Sequence, residues 1–300
     1  MKEQIAIIGC GLIGDSWAAL MTAHGHSVAA WDPSQAVLAD FEARVEKARA
    51  QVWQLMPNRP DMGRLSLSTT LEDALAGATW VQENAPEKLA LKQDLYAQIE
   101  AVVGDEVVIA SSTSSLTWSE LSAGMKRPQR LITAHPFNPP HLMPLVEIYA
   151  RVEDIRTRSV AFYAGMDRQP VVLKRDAVGH IANRLASALW REAVNIVAED
   201  IADVSAVDAA LVHGPGLRWS VIGAHMAYHL GGGEGGIESY LRHLGPSQER
   251  RWLTLGSPKL TPEVCAKLVA GVAEEAAGRS IGTLAAERDM ALIRILQANP

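Results

Sequence analysis

The sequence predicts an α/β chain: a doubly wound, mostly parallel sheet over residues 1–177, then an all-α domain over residues 178–300. Three observations predict it. A short apolar run, Gln4–Ile8, is followed at once by GCGLIG and an apolar helical stretch. Short apolar runs then alternate with helical segments as far as Leu173, the pattern of strands joined by crossover helices. Beyond Asp176 the period changes. Ile181, Leu185, Leu189, Ala193, Val197 and Ile201 recur every four residues, which belongs to one long helix.

The first strand, Gln4–Ile8, is apolar throughout, as a strand buried on both faces must be. Gly9-Cys10-Gly11-Leu12-Ile13-Gly14 then opens a helix to about His24. A lone GxGxxG is weak; between a strand and a helix it is the dinucleotide turn of a Rossmann-type sheet. Gly9 permits the tight turn, Gly11 lets backbone approach a pyrophosphate, and Gly14 lets the helix pack close on the strand. The helix N-terminus offers free N–H groups to the phosphates. The second strand, Ser27–Trp31, ends in Asp32, placed to accept the adenine ribose hydroxyls and to repel a 2′-phosphate. NAD is therefore expected rather than NADP. The competing reading of Asp32 is a surface residue at an ordinary strand–helix junction.

An amphipathic helix is expected over 34–56, a turn over Pro57–Gly63, a strand at Leu65–Leu67 and a short helix over Leu71–Ala76. Thr79–Glu83 reads as a strand that breaks at Asn84-Ala85-Pro86-Glu87. Leu89–Val103 reads as a helix and Val107–Ala110 as a strand leading into the hydroxyl cluster Ser111-Ser112-Thr113-Ser114-Ser115. Next comes a strand at Arg130–Thr133. Prolines 136, 139, 140 and 144 forbid a helix around His135, which is expected on a stiff loop at that strand's exit. Leu145–Tyr149 carries Glu147 back. Two readings of the pair stay open on these residues: a general base with an orienting carboxylate, or a buried histidine satisfied by hydrogen bonds. Ligands of such sheets bind beyond the carboxyl ends of the strands. Glu83–Glu87, Ser111–Ser115 and His135 all fall there, which favours the first reading.

A helix and a strand, Val171–Leu173, complete this half. In the second half, Ser205 with Asp208 matches a capping box, and Leu217–Leu230 reads as one helix broken by the glycine run 231–236. Thr261-Pro262-Glu263 starts another helix, and Ser280–Ala298 is helical.

Composition narrows the function classes. The 300 residues suit two domains, and 48% hydrophobic content supports a sizeable core. A net charge of −6 with scattered Lys and Arg argues against nucleic acid. Two distant cysteines, Cys10 and Cys265, make no framework and no CxxC, so no metal is expected. His225 and His229 stand four apart, but the glutamate of HExxH is missing, so they read as surface or interface histidines. No run of 18 apolar residues exists and no signal peptide opens the chain, so a cytoplasmic setting without a membrane span is expected.

Taken as a set, TSS, HPFNP, LVE and GHIANR make the whole chain resemble the L-3-hydroxyacyl-CoA dehydrogenase superfamily. The resemblance implies an active site of Ser114, His135, Glu147 and Asn183, with Glu87 and Lys92, in PEKLALK, on the cofactor side. Members acting on acyl-CoA usually have Asn where Ser112 stands, itself a cofactor-side position, and a GPFE-like segment where this chain has Gly216-Leu217-Arg218-Trp219-Ser220. Both departures resemble the branch acting on small hydroxy acids. GLRWS, HLGGGEGG, APEKLALK and AGRSIGTL are most similar to members that oxidise L-carnitine. An aromatic residue is expected where His180 stands.

What the resemblance implies is oxidation of a 3-hydroxyl, with hydride passing to NAD and the proton to His135. Glu147 would orient the imidazole; Ser114 and Asn183 would hold the reacting oxygen. For carnitine, Arg218 would face the carboxylate, and Trp219, Tyr228 and Trp190 the trimethylammonium. The competing reading of those aromatics is core or interface packing. The rival activities are an L-gulonate 3-dehydrogenase, a 3-hydroxyacyl-CoA dehydrogenase, and a non-catalytic, crystallin-like NAD-binding protein. A homodimer through the helical domain is implied as well.

Overall fold

The computed structural model of the chain describes residues 2–298; residues 1, 299 and 300, at the ends of the two expected domains, lie outside the described residues. Within them the sheet has eight strands: β1 (Gln4–Ile8), β2 (Ser27–Trp31), β3 (Leu65–Leu67), β4 (Trp80–Glu83), β5 (Val108–Ser111), β6 (Leu131–Pro136), β7 (Leu145–Tyr149) and β8 (Gln169–Val172). Their order is β3-β2-β1-β4-β5-β6-β7-β8, and every neighbouring pair is parallel except β6–β7. The winding reverses between β1 and β4, so the crevice of this sheet opens beyond Ile8 and Glu83.

Alternation along β1 explains why all of it is apolar. Ile5 and Ile7 pack with Trp17 and Leu20 of the helix Leu12–Ala23 and with Phe41 and Val45 of the helix Phe41–Leu55. Ala6 and Ile8 point the other way, onto Leu95, Tyr96 and Ile99 of the helix Leu89–Val102. Both faces are covered, as a parallel sheet requires. Trp17 and Trp80 are fully buried beside Tyr163. Truncating either to alanine costs about 3–5 kcal/mol.

Several expectations shift. His135 lies within β6, not on the loop after it, because β7 returns antiparallel and extends the ladder through Pro136, with His135 opposite Glu147. The helix expected over 34–56 is two, Gln35–Leu38 and Phe41–Leu55, since Ser34 caps the first and Asp40 leaves helical geometry between them. The helix expected over Leu217–Leu230 is also two, Leu217–Trp219 and Ala224–Gly231, with extended Gly223 between. The cap assigned to Ser205 and Asp208 belongs to Asp203, whose carboxylate accepts the Ala206 N–H at 2.8 Å and starts the helix Val204–Leu211. Thr261 caps the helix Pro262–Ala276 as expected.

Packing divides the chain into two compact units, residues 1–183 with 287–300, and residues 184–286. The sequence puts the boundary near 177. Residues 181 and 182 stay with the first unit because their N–H groups bond Glu147, at 2.8 and 2.9 Å. The helix Ile281–Ala298 joins it from residue 287 through a buried polar chain. Asp289 accepts from the Gln51 amide at 3.2 Å, the Gln51 carbonyl meets His141 Nε2 at 2.7 Å, and His141 Nδ1 meets the Ser16 hydroxyl at 2.7 Å. Burial lowers the His141 pKa to about 4, so the ring is neutral and its Nε2–H donates to Gln51. The second unit consists of helices whose apolar side chains are largely open: Val221, Leu217 and Leu253 are 75%, 63% and 86% exposed. No described helix is long and apolar enough to cross a membrane.

Candidate active site

The glycine turn is built by close approach. Gly9 has φ +92°, and a Cβ there would sit 2.8 Å from the Asn84 backbone. A Cβ on Gly14 would fall 2.0 Å from the Gly9 carbonyl oxygen. Gly11 differs: a Cβ there would meet nothing within 4 Å. Its glycine keeps open the space in which a dinucleotide's phosphates fit. No side chain caps the helix Leu12–Ala23, so its N-terminus faces that space with N–H groups to offer. Leu12 projects outward at 71% exposure, Ile13 is half-buried, and the Cys10 thiol turns fully inward. Burial, then the Asp32 carboxylate, push that thiol up to about 12, so it is an inert packing group. Asp32 accepts from the N–H groups of Cys10 at 3.0 Å and Ser34 at 2.8 Å. It lines a cavity of about 820 Å³ with Gly9, Gly11, Val37, Asn84 and Pro86. The residues present therefore fit a dinucleotide.

Arg44 stiffens this turn, a role invisible to the spacing of glycines. Its guanidinium donates to the Cys10 carbonyl at 2.8 Å and to Asp15 at 2.9 Å. A second buried network holds the ends of β4 and β5. Glu83, fully buried, accepts from Lys92 and the Ala85 N–H, both at 2.6 Å, from Tyr96 at 2.6 Å and from Ser111 at 2.7 Å. Lys92 is thus spent mainly on Glu83; Glu87 lies 3.9 Å from it. Glu87 instead ties down the hydroxyl loop, accepting from Thr113 Oγ1 at 2.7 Å and from the N–H groups of Ser114 and Ser115 at 3.0 and 2.8 Å. Burial pushes its carboxyl up, but these donors and Lys92 outweigh burial and bring it to about 2. Ser112 Oγ sits among Asn84, Gln82 and Trp17, at 2.7, 3.0 and 3.2 Å.

At the end of β6 the residues converge. Register brings His135 and Glu147 face to face across the antiparallel pair, and His135 Nδ1 meets Glu147 Oε2 at 2.8 Å. The other carboxylate oxygen accepts the Ile181 and Ala182 N–H groups. Burial raises the Glu147 pKa, yet His135 and these N–H groups prevail and hold it below the usual carboxylate range. An ionised Glu147 requires Nδ1 to carry the ring proton, which leaves Nε2 as a bare acceptor. Asn183 Nδ2 is 3.4 Å from that nitrogen and donates to the Ser114 carbonyl at 3.2 Å. Ser114 is half-buried, with its hydroxyl 3.5 Å from Glu87. One asparagine therefore links His135 and the hydroxyl loop. An imidazole of this kind takes a proton at Nε2 and shares the resulting charge with a carboxylate.

Two neighbours, His180 and Phe137, were not legible as site residues, and a third, Thr113, was read only as part of the hydroxyl cluster. His180 stacks on His135, ring centroids 4.9 Å apart at 22°, and Phe137 meets it edge-on at 5.8 Å. Thr113 accepts His180 Nε2 at its carbonyl, 3.1 Å away. The odd residue at 180 was the available signal for the first, and the hydroxyl cluster already held Thr113; nothing in the spacing marked Phe137.

Arg218 is exposed in the second unit, as are Trp219, Tyr228 and Trp190, at 39%, 38% and 56%. Tyr228 lies against Tyr240 with ring centroids 4.9 Å apart. His229 accepts the Ile237 N–H at Nδ1, 3.1 Å away. Among the described residues no group of three or more His, Cys, Asp or Glu converges as metal ligands.

Comparison with known proteins extends this geometry. Residues 4–177 match the 3-hydroxyacyl-CoA dehydrogenase NAD binding domain, and residues 179–273 match the corresponding C-terminal domain. The L-carnitine dehydrogenase of Streptomyces griseus is 42% identical over 307 residues, 99% of this chain and 90% of that protein. That of Pseudomonas aeruginosa is 38% identical, over 99% of this chain and 94% of the other. A solved NAD+-dependent dismutase, a 5-formyl-3-hydroxy-2-methylpyridine 4-carboxylic acid 5-dehydrogenase, superposes over 100% of both chains with a TM-score of 0.85 at 26% identity.

Proposed function

The chain belongs to the 3-hydroxyacyl-CoA dehydrogenase family, an NAD-dependent group, and from that premise we propose that it oxidises the 3-hydroxyl of a small L-3-hydroxy acid, L-carnitine, to the ketone. The observation that carries the reaction type is the His135 imidazole, held at Nδ1 by Glu147 and bare at Nε2 beside Asn183. The relatives named L-carnitine dehydrogenase, matched along nearly the whole chain, support the choice of acid.

NAD, when bound, supplies the hydride acceptor; Gly9, Gly11, Asp32 and the start of the helix Leu12–Ala23 would hold it, with Glu87, Lys92 and Ser112 behind the far end. The chain's own part is the proton. The substrate hydroxyl gives it to His135 Nε2, and Glu147 stabilises the cation left on the ring. Glu147 cannot swing away, because two backbone N–H groups pin its second oxygen. The Ser114 hydroxyl and the Asn183 amide donate to the reacting oxygen and fix its place. Proton transfer of this kind is worth roughly 10²–10⁴-fold.

We assign the carnitine carboxylate to Arg218 and the trimethylammonium to Trp219, Tyr228 and Trp190. Their support is chemical: a guanidinium fork suits a carboxylate, and open aromatic faces suit a quaternary ammonium. The open apolar helices of the second unit support a homodimer through it as our reading. A reducing cytoplasm suits the two free thiols of Cys10 and Cys265.

The test is NADH formation with L-carnitine, D-carnitine, L-gulonate, L-3-hydroxybutyrate and L-3-hydroxybutyryl-CoA, each with NAD and NADP. Turnover of L-carnitine with NAD alone is expected, lost in His135→Gln with NAD affinity kept. Turnover confined to the CoA ester or gulonate would discard the cation site and leave the proton chemistry standing.

A further inference from the structure

His180 sits where an aromatic residue was expected, and its surroundings give it more to do than fill space. It is 2% exposed, in left-handed backbone at φ +49°, a conformation that histidine tolerates better than most residues. Its ring lies nearly parallel on the His135 imidazole. Its Nε2 reaches the Thr113 carbonyl at 3.1 Å, while its Nδ1 is buried and has no partner. A carbonyl only accepts, so Nε2 carries the proton. Protonating Nδ1 too would bury a donor with nothing to receive it, which costs about 1–3 kcal/mol. Geometry thus keeps His180 neutral. Burial, and then the charge of a protonated His135, lower its pKa further; Thr113, Glu147 and Asp176 oppose them without prevailing. A neutral ring at this distance offers its face to the imidazolium formed in the reaction and does not compete for the proton.

The same residue reaches both halves of the proposed site. Thr113 precedes Ser114, whose own carbonyl takes the Asn183 amide three residues after His180. We propose that His180 is a positioning residue: its ring sets the plane of the His135 imidazole while its Nε2–H fixes the backbone that carries Ser114, so base and hydroxyl keep one geometry. This rests on the hydroxy-acid reading above, so its test includes a readout that needs no turnover.

His180→Phe keeps the ring and loses the donor. His180→Gln keeps a donor and loses the ring. Both carry the same backbone strain, so the difference between them separates the two functions. With the acid that the wild type oxidises, kcat is expected to fall about tenfold in H180F and about 100-fold in H180Q, with KM and NAD affinity within about threefold. In parallel, nitrogen-15 NMR of the imidazoles reads exchange of the His135 Nδ1–H with water. It is expected to be slow in the wild type and H180F, and at least about tenfold faster in H180Q, where water reaches the uncovered ring face.

Equal exchange in all three proteins overturns the proposal whatever the activity; so does a kcat within about twofold of wild type in both variants. A wild type that oxidises none of the acids, with exchange faster only in H180Q, sinks the hydroxy-acid reading and keeps the positioning role. Should H180Q not fold, H180F decides through kcat: about tenfold loss at unchanged KM supports the tether to Thr113, and no loss overturns it.

Discussion

Replacing Glu147 with glutamine is the sharpest test of the proton chemistry, because three donors converge on that carboxylate. They are His135 Nδ1–H and the backbone N–H groups of Ile181 and Ala182. An amide has one oxygen and one NH2 for these places. If its oxygen faces His135, its NH2 confronts two backbone N–H groups, and buried donors lose their acceptor at about 1–3 kcal/mol each. If its oxygen faces the backbone, only the histidine contact is reversed, and the ring adapts by moving its proton to Nε2. The second arrangement strands neither backbone donor and wins by about 2–6 kcal/mol. In it Nε2 has no lone pair for the substrate proton. The imidazolium also loses a charge-assisted bond worth about 1.5–3 kcal/mol. Together these predict a fall in kcat of roughly 10²–10⁴-fold. Steady-state NADH formation reads kcat, and equilibrium binding reads NAD affinity, which is expected to hold within about twofold. A kcat within tenfold of wild type would refute both the tautomer argument and the role of Glu147.

Asp32→Asn keeps an acceptor for only one of the Cys10 and Ser34 N–H groups and removes the negative charge; KM for NAD is expected to rise about tenfold while the preference over NADP shrinks, and unchanged constants with both cofactors would count against Asp32 at the ribose. Glu87→Gln bears on acid stability. The Glu87 pKa is depressed to about 2, so its stabilisation is complete above the ordinary carboxylate range and is lost as pH falls toward about 2. Thermal melts are expected to show wild type above the variant near neutral pH, with the gap closing in acid; a gap that widens in acid would reverse the assigned sign.

Most of the sheet was legible because each strand is a short apolar run between turn signals. β1, β2, β3 and β7 begin and end where the sequence put them. His135, Glu147 and the hydroxyl cluster were legible from the prolines and the strand ends, Asn183 only through a resemblance; their meeting depends on register. His135 and Glu147 face each other because β7 runs antiparallel, and strand direction is a property of long-range pairing that local residues do not encode. The prolines around His135 were read as excluding a helix and leaving the histidine on a stiff loop, yet Pro136 closes a strand at its last position. Lys92 shows a different limit. Glu87 is the nearer of the two carboxylates in sequence, and only the buried geometry gives Lys92 to Glu83.

The polar chain from Ser16 through His141 and Gln51 to Asp289 has a consequence for biosynthesis. Ser16 and Gln51 leave the ribosome early, His141 later, and Asp289 only after the whole of residues 184–286. Throughout that interval Gln51 and His141 lack the acidic end of their chain. The unit that carries the glycine turn and the strands of His135 and Glu147 is therefore finished last rather than first. A nascent chain halted anywhere in the helical unit holds the histidine, the glutamate and the glycines, but not the aspartate that ends the chain from Ser16.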